Sequence, residues 1–169
     1  MSELSVALGH SARIVGRLRF EVDGNRQYSM FEYTDEWFSS GGRFALSPDL
    51  PLNAGGHYSS GRDDTRNALP GCLSDAAPDS WGRGLMTRAF GGGLSECDFL
   101  TLSDDRTRQG ALRLLDERMN PLSEFSPSVP RLLDLAAMRD LALGYEGNPD
   151  VAEEEVRHLA GISGSLGGD

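Results

Sequence analysis

Lysine is missing altogether: all 16 basic side chains of the chain are arginines. A glycine-rich nucleotide loop usually works with a lysine that reaches the phosphates, and no residue here can take that part. Cysteine is nearly missing as well. Cys72 and Cys97 form no CxxC unit and have no histidine close by, so the common zinc spacings are excluded and two free buried thiols remain the reading. His10, His57 and His158 are scattered, and each reads as a solvated side chain rather than a ligand. Positive charge is scarce, with 16 basic residues against 26 acidic ones and a formal net charge of -10. That balance argues against nucleic acid as the main ligand and against an anionic membrane surface; it suits solubility or a basic partner. No apolar run approaches the ~20 residues of a membrane span. Residues Met1 to Gly9 carry no arginine and only a short apolar run, unlike a signal peptide, so the chain reads as cytoplasmic with no membrane partner.

A length of 169 residues allows one ordinary domain, or a small domain with an appendage, and is enough to bury a core. Hydrophobic content is 38%, and 21 glycines with 8 prolines predict much loop. From Ile14 to Val22 the chain alternates, with Ile14, Gly16, Leu18, Phe20 and Val22 on one side and Val15, Arg17, Arg19 and Glu21 on the other, which predicts a half-buried strand. Asp23-Gly24-Asn25 has the composition of a hairpin turn. The return strand runs from Tyr28 to Tyr33, and a strand over Leu4 to Leu8 pairs alongside, giving an antiparallel meander. Thr34 followed by Asp35 and Glu36 reads as the cap of a short helical turn. Phe44 to Ser47 is a further strand candidate, ended by Pro48 and Pro51. Asn53 to Asn67, polar and glycine-rich, reads as a long exposed loop.

A helix is expected from near Ser80 to Phe90, stopped by Gly91-Gly92-Gly93, and a second one capped by Ser95 through Leu102. Gly110 to Leu114 is apolar enough for a returning strand. The prolines at 121, 127 and 130 mark a linker, with Pro130 placed to start a helix that carries Leu132, Leu135, Ala136, Met138, Leu141 and Ala142 and stops at Gly144. A shorter helix follows from Asp150 to about Leu159. The fold class is α+β: an antiparallel sheet or small barrel with flanking helices, followed by a helical connector. Its divisions are 1–115 for the first subdomain, 116–160 for linker and connector, and 161–169 for the glycine-rich end.

At that end, Gly161-Ile162-Ser163-Gly164-Ser165-Leu166-Gly167-Gly168-Asp169 interleaves glycines with serines. Such a backbone turns tightly and aims several N–H groups into one concave space, as a phosphate loop does; a frayed glycine tail is the alternative. Pro78-Asp79-Ser80-Trp81-Gly82-Arg83 reads as a helix start in which Asp79 or Ser80 accepts exposed N–H groups and Trp81 plugs the core. Asp104 with Asp105, and Glu153 to Glu155, read as solvated faces without calcium-loop spacing, and no G-x-S-x-G elbow supports a hydrolase.

In order along the chain, Phe31-Glu32-Tyr33-Thr34-Asp35-Glu36-Trp37, Leu46-Ser47-Pro48-Asp49-Leu50-Pro51-Leu52 and Pro78-Asp79-Ser80-Trp81-Gly82-Arg83 resemble the amino-terminal subdomain of HipA-like serine/threonine kinases. Asp98-Phe99-Leu100, Asp104-Asp105-Arg106 and Gly110-Ala111-Leu112-Arg113 continue the resemblance, and Ser165-Leu166-Gly167-Gly168 is similar to that family's glycine-rich loop. The resemblance implies a bacterial toxin–antitoxin kinase paired with a helix-turn-helix antitoxin. It implies a partial nucleotide phosphate loop at Gly164, Ser165, Leu166, Gly167 and Gly168, and a regulatory autophosphorylation site at Ser165 with Ser163 as neighbour. A phosphate there adds about -1.5 to -2 of charge and competes with nucleotide phosphates for the same N–H cradle.

The chain departs from the family pattern in two places. Asp169 stands where the family continues into proline and lysine, and Thr107-Arg108-Gln109 is inserted or altered before Gly110. The family's later catalytic and metal-binding aspartates have no counterpart either. Phosphoryl transfer is positioning and charge stabilisation, so no kinase activity is expected from this chain alone, and ATP with magnesium is expected only in a completed kinase. The expected function is an interaction and regulatory module, truncated within a catalytic motif, that docks to a kinase core or to the antitoxin. The alternative is the front part of an active protein kinase completed by a second polypeptide.

Overall fold

The computed structural model of the protein describes residues 2–9, 12–62, 68–105, 107–122, 136, 139, 140 and 142–144. Strands β1 (Ser2–Leu8), β2 (Arg13–Asp23), β3 (Arg26–Tyr33), β4 (His57–Arg62) and β5 (Leu112–Leu115) form one sheet in the order β4-β3-β2-β1-β5. Every neighbouring pair is antiparallel. Helices α1 (Asp35–Ser39), α2 (Gly71–Asp75), α3 (Ser80–Phe90) and α4 (Glu96–Leu102) accompany the sheet. Among the described residues the sheet is open, with β4 and β5 as its edges, so the α+β class holds in its sheet form rather than as a closed barrel.

Alternation along β2 and β3 sorts the two faces. Leu18 and Phe20 of β2 and Gln27, Ser29, Phe31 and Tyr33 of β3 are buried, whereas Arg17, Glu21, Tyr28 and Glu32 are exposed. The buried face meets Trp37 of α1, Leu73 of α2, Leu100 of α4 and the loop residues Leu50 and Leu69 in one continuous core. Each such side chain contributes roughly 1.5–3 kcal/mol by leaving water. Leu85 and Met86 of α3 centre a smaller cluster against Trp81, Leu94 and Phe99.

The simple alternation fails at one place. Val6 opposes Gly16 but Ala7 opposes Ile14, so Val15 is an extra residue on β2. The bulge turns Val15 inward to full burial, away from the solvent side it would otherwise share with Arg17. Beside it, Gly16 has no room for a side chain: a Cβ there would land in the Phe31 ring and 2.6 Å from the Glu32 carbonyl oxygen.

Two expectations are corrected by the sheet. The stretch from Asn53 to Asn67 is not all loop, because His57–Arg62 pairs with β3 as β4. A polar Ser59-Ser60-Gly61 sequence suffices for an edge strand whose neighbour supplies the ladder. Conversely, Phe44 to Ser47 is no strand, since its backbone groups go to side chains: the Phe44 carbonyl accepts from Trp37 Nε1 at 3.2 Å and Leu46 N donates to the Tyr33 hydroxyl at 2.9 Å.

The stretch after β5 starts as a tight return. Asn120 N and Arg118 N donate to Asp116 Oδ1, each at 2.8 Å, and Leu122 N donates back to the Leu114 carbonyl at 2.8 Å. Of the expected helix at 130–144, the described positions Ala136, Arg139, Asp140 and 142–144 are helical. The remainder of that helix, and the one at 150–159, lie outside the described residues.

Candidate functional site

Of the motifs that carry the family resemblance, those at 31–37 and 46–52 bring Phe31, Tyr33, Trp37 and Leu50 into the main core, on the helical side of the sheet. Thr34 caps α1 as expected, its hydroxyl accepting from Trp37 N at 3.2 Å. One residue before it, the buried Tyr33 hydroxyl donates to the Leu50 carbonyl at 2.7 Å while accepting from Leu46 N. Burial pushes the ionisation of this phenol upward. Tyr33 thus holds both ends of Leu46-Ser47-Pro48-Asp49-Leu50. Asp49 in turn reaches across the chain: its Oδ2 accepts from Gly71 N at 2.7 Å, and its Oδ1 accepts from the Ser47 hydroxyl. The Ser47 hydroxyl and then the Gly71 N–H hold its carboxyl below the ordinary aspartate range. Pro70, the residue preceding α2, makes no side-chain cap, so Asp49 supplies that acceptor from a distance of many residues in sequence.

In Pro78-Asp79-Ser80-Trp81-Gly82-Arg83, Asp79 is the capping residue, accepting from Gly82 N at 2.8 Å, and Ser80 is the first residue of α3. Gly91, with φ 94, ends the helix as expected. Trp81 does not plug the main core. It is half-buried against the smaller cluster of Leu85 and Met86, and the indole of the main core is Trp37, 1% exposed. The consequential residue of the motif is Arg83. Its guanidinium makes a two-pronged contact with Glu96 at 2.6 and 2.9 Å, donates from Nε to the Pro78 carbonyl at 2.9 Å, and lies 4.7 Å from the Phe99 ring centroid. Both partners are buried. Glu96 N donates to Gln27 Oε1 at 2.8 Å, tying the pair to the inner face of β3. Ser95, as expected, caps α4, and Asp98 returns the contact to form a capping box.

A second buried arginine, Arg108, lies in the Thr107-Arg108-Gln109 stretch that departs from the family pattern. It donates to the Leu100 carbonyl at 2.7 Å, the Ser103 carbonyl at 3.0 Å and the Ala76 carbonyl at 3.5 Å, so it bolts the ends of α2 and α4 together. Burial pushes its ionisation down to about 10, although Asp105 at 4.0 Å works the other way. Asp105 also meets Arg113 at 3.4 Å, so this acidic pair is part of the fold and not a solvated face. Burial likewise raises the Cys97 thiol to about 11, and Cys97 and Cys72 are free, as the sequence indicates.

His57 is not a solvated side chain either: it stands on β4 against Phe31 and Tyr33, with Nε2 buried and without a hydrogen-bond partner. His10 and His158 lie outside the described residues. So do Ser163, Gly164, Ser165, Leu166, Gly167 and Gly168, the expected phosphate loop and regulatory serines. Among the described residues no group of three or more His, Cys, Asp or Glu side chains is placed to hold a metal ion, and no helix is long and apolar enough to cross a membrane.

Gln27, Arg83, Glu96 and Arg108 are the residues that sequence reasoning did not single out as a network. One signal was available: Gln27 and Ser29 are polar at inward positions of β3, and buried polar side chains need partners.

An open antiparallel sheet with short helices packed on one face, braced by two buried arginines, defines an α+β scaffold domain. The HipA N-terminal domain family matches residues 5–112, a span that begins within β1 and ends on the first residue of β5. The chain belongs to that family. No curated protein matches it.

Proposed function

We propose that the chain is the amino-terminal interaction and regulatory module of a HipA-like toxin–antitoxin serine/threonine kinase, acting in the cytoplasm and transferring no phosphoryl group by itself. The observation that carries this reading is the family match over residues 5–112, which coincides with the folded sheet and its helices. The absence of lysine from the sequence supports the non-catalytic part, because phosphoryl transfer needs cationic groups positioned on the phosphates. The partner is a kinase core, a helix-turn-helix antitoxin, or both, and ATP with magnesium belongs to the completed kinase. Residues 1–115 form the docking subdomain, 116–160 connect it, and 161–169 bring the glycine-rich loop with Ser165 as the residue to be phosphorylated.

The test uses the purified full chain, a HipA-type kinase core lacking its own amino-terminal domain, the cognate antitoxin, and labelled ATP. The expected result is a stable complex with the core or the antitoxin and no label transfer by the chain alone. Absence of binding to both partners overturns the reading, as does label transfer by the isolated chain.

A further inference from the structure

The sheet face turned away from the core carries a charge pattern that is complementary to itself. Its outward positions on β3 read Arg26, Tyr28, Met30 and Glu32, and those on β2 read Arg17, Arg19, Glu21 and Asp23. Register sets the rows: Arg17 lies beside Glu32, Arg19 beside Met30, Glu21 beside Tyr28 and Asp23 beside Arg26. On β4, Tyr58 stands beside Met30 and is 79% exposed, and Tyr28 is 37% exposed. Arg19, Glu21, Tyr28, Met30 and Tyr58 line one shallow, largely apolar groove. Among the described residues, the helices that fill the core lie on the opposite face, against Leu18 and Phe31.

We propose that this face binds a second copy of the chain, sheet against sheet, about a two-fold axis that crosses the strands between the Tyr28 and Met30 rows. That operation reverses each strand over its own copy. Arg26 then meets Glu32 of the second copy, Arg17 meets Asp23, Arg19 meets Glu21, and Tyr28 covers Met30. All three charge pairings are of opposite sign, and the apolar residues fall at the centre. An isologous interface requires a patch to be complementary to itself in this way, whereas a different partner would need no such internal symmetry. Face-to-face sheets pack about 10 Å apart with strands roughly 30° from alignment, a rotation that the central rows tolerate. Glu3 of the neighbouring β1 lies 2.7 Å from Arg19 and 3.9 Å from Arg17. With so few apolar side chains at its centre the dimer is weak and concentration-dependent.

Charge reversal on the full chain tests the symmetry itself. Sedimentation velocity at rising concentration is expected to show a monomer–dimer equilibrium. Arg26→Glu alone and Glu32→Arg alone each set like charges against each other twice per dimer and should weaken association roughly tenfold or more. An equimolar mixture of the two variants, and the double variant Arg26→Glu/Glu32→Arg, should both recover association close to the unaltered chain. Circular dichroism of each variant confirms the fold. A chain that stays monomeric at every concentration overturns the proposal, as does a dimer indifferent to the single reversals, or one whose loss neither the mixture nor the double variant repairs.

Discussion

Arg83 and Arg108 are both buried in one small domain, yet they are satisfied by different chemistry. Arg83 faces the carboxylate of Glu96 across two short contacts, and the pair is anchored to β3 through Gln27. Arg108 gives its N–H groups mainly to the carbonyls of Leu100, Ser103 and Ala76, with Asp105 only at the margin of ion-pair distance. The first arrangement is a mutual obligation between two charges. The second places one charge among dipoles that are neutral without it. The difference lies in what stays behind when the arginine is removed.

The largest effect is expected at the charge pair. Arg83→Met strands the Glu96 carboxylate, whose side chain is only 8% exposed, and should cost about 3–5 kcal/mol in urea unfolding. The comparison sharpens in the double variant Arg83→Met/Glu96→Leu, which removes both charges and should regain most of that loss. A double variant as unstable as the single would show that the guanidinium's contacts to the Pro78 carbonyl and the Phe99 ring dominate instead. Arg108→Met leaves carbonyl oxygens rather than an ion, so a smaller loss of about 1–3 kcal/mol is expected. A cost equal to that at Arg83 would break the comparison.

The smallest effect belongs to Asp49, an exposed carboxylate that accepts from Gly71 N and the Ser47 hydroxyl. Asp49→Ala should lose about 1 kcal/mol at neutral pH, the usual size of a helix cap. Because its folded-state ionisation is depressed, this stabilisation is fully present above the ordinary aspartate value of 3.8 and is lost as pH falls further, through the lowered value. Thermal melts should therefore show the gap between Asp49→Asn and the unaltered chain closing below about pH 4. A gap that stays constant into acid would show that the carboxylate charge is not what α2 uses.

Local signals made most of the sheet legible. Alternation marked β2 and β3, Gly24-Asn25 marked the turn between them, and Thr34 and Ser95 announced two helices through the hydroxyls that cap them. What escaped was decided by distant partners. β4 exists because β3 offers an open edge, and nothing in Ser59-Ser60-Gly61 says so. Phe44 to Ser47 looks like a strand, but Trp37 and Tyr33 claim its backbone groups. The bulge at Val15 is a matter of register between two strands and leaves no mark in the sequence of one. Arg83 was legible as part of a motif and Arg108 as a departure from a pattern, but neither context showed what the guanidinium would touch.

The placement of β1 bears on how the domain comes into being. This first strand sits between β2, which follows it at once, and β5, which arrives only after α1 to α4 have been made. During synthesis on the ribosome, the hairpin of β1 with β2 can form early, but the far flank of β1 stays bare until Leu112–Leu115 has emerged. Such long-range closure slows folding, and a nascent strand with an unpaired side is a template for the wrong neighbour. A chain stopped before Leu112 should accordingly be prone to aggregation during expression.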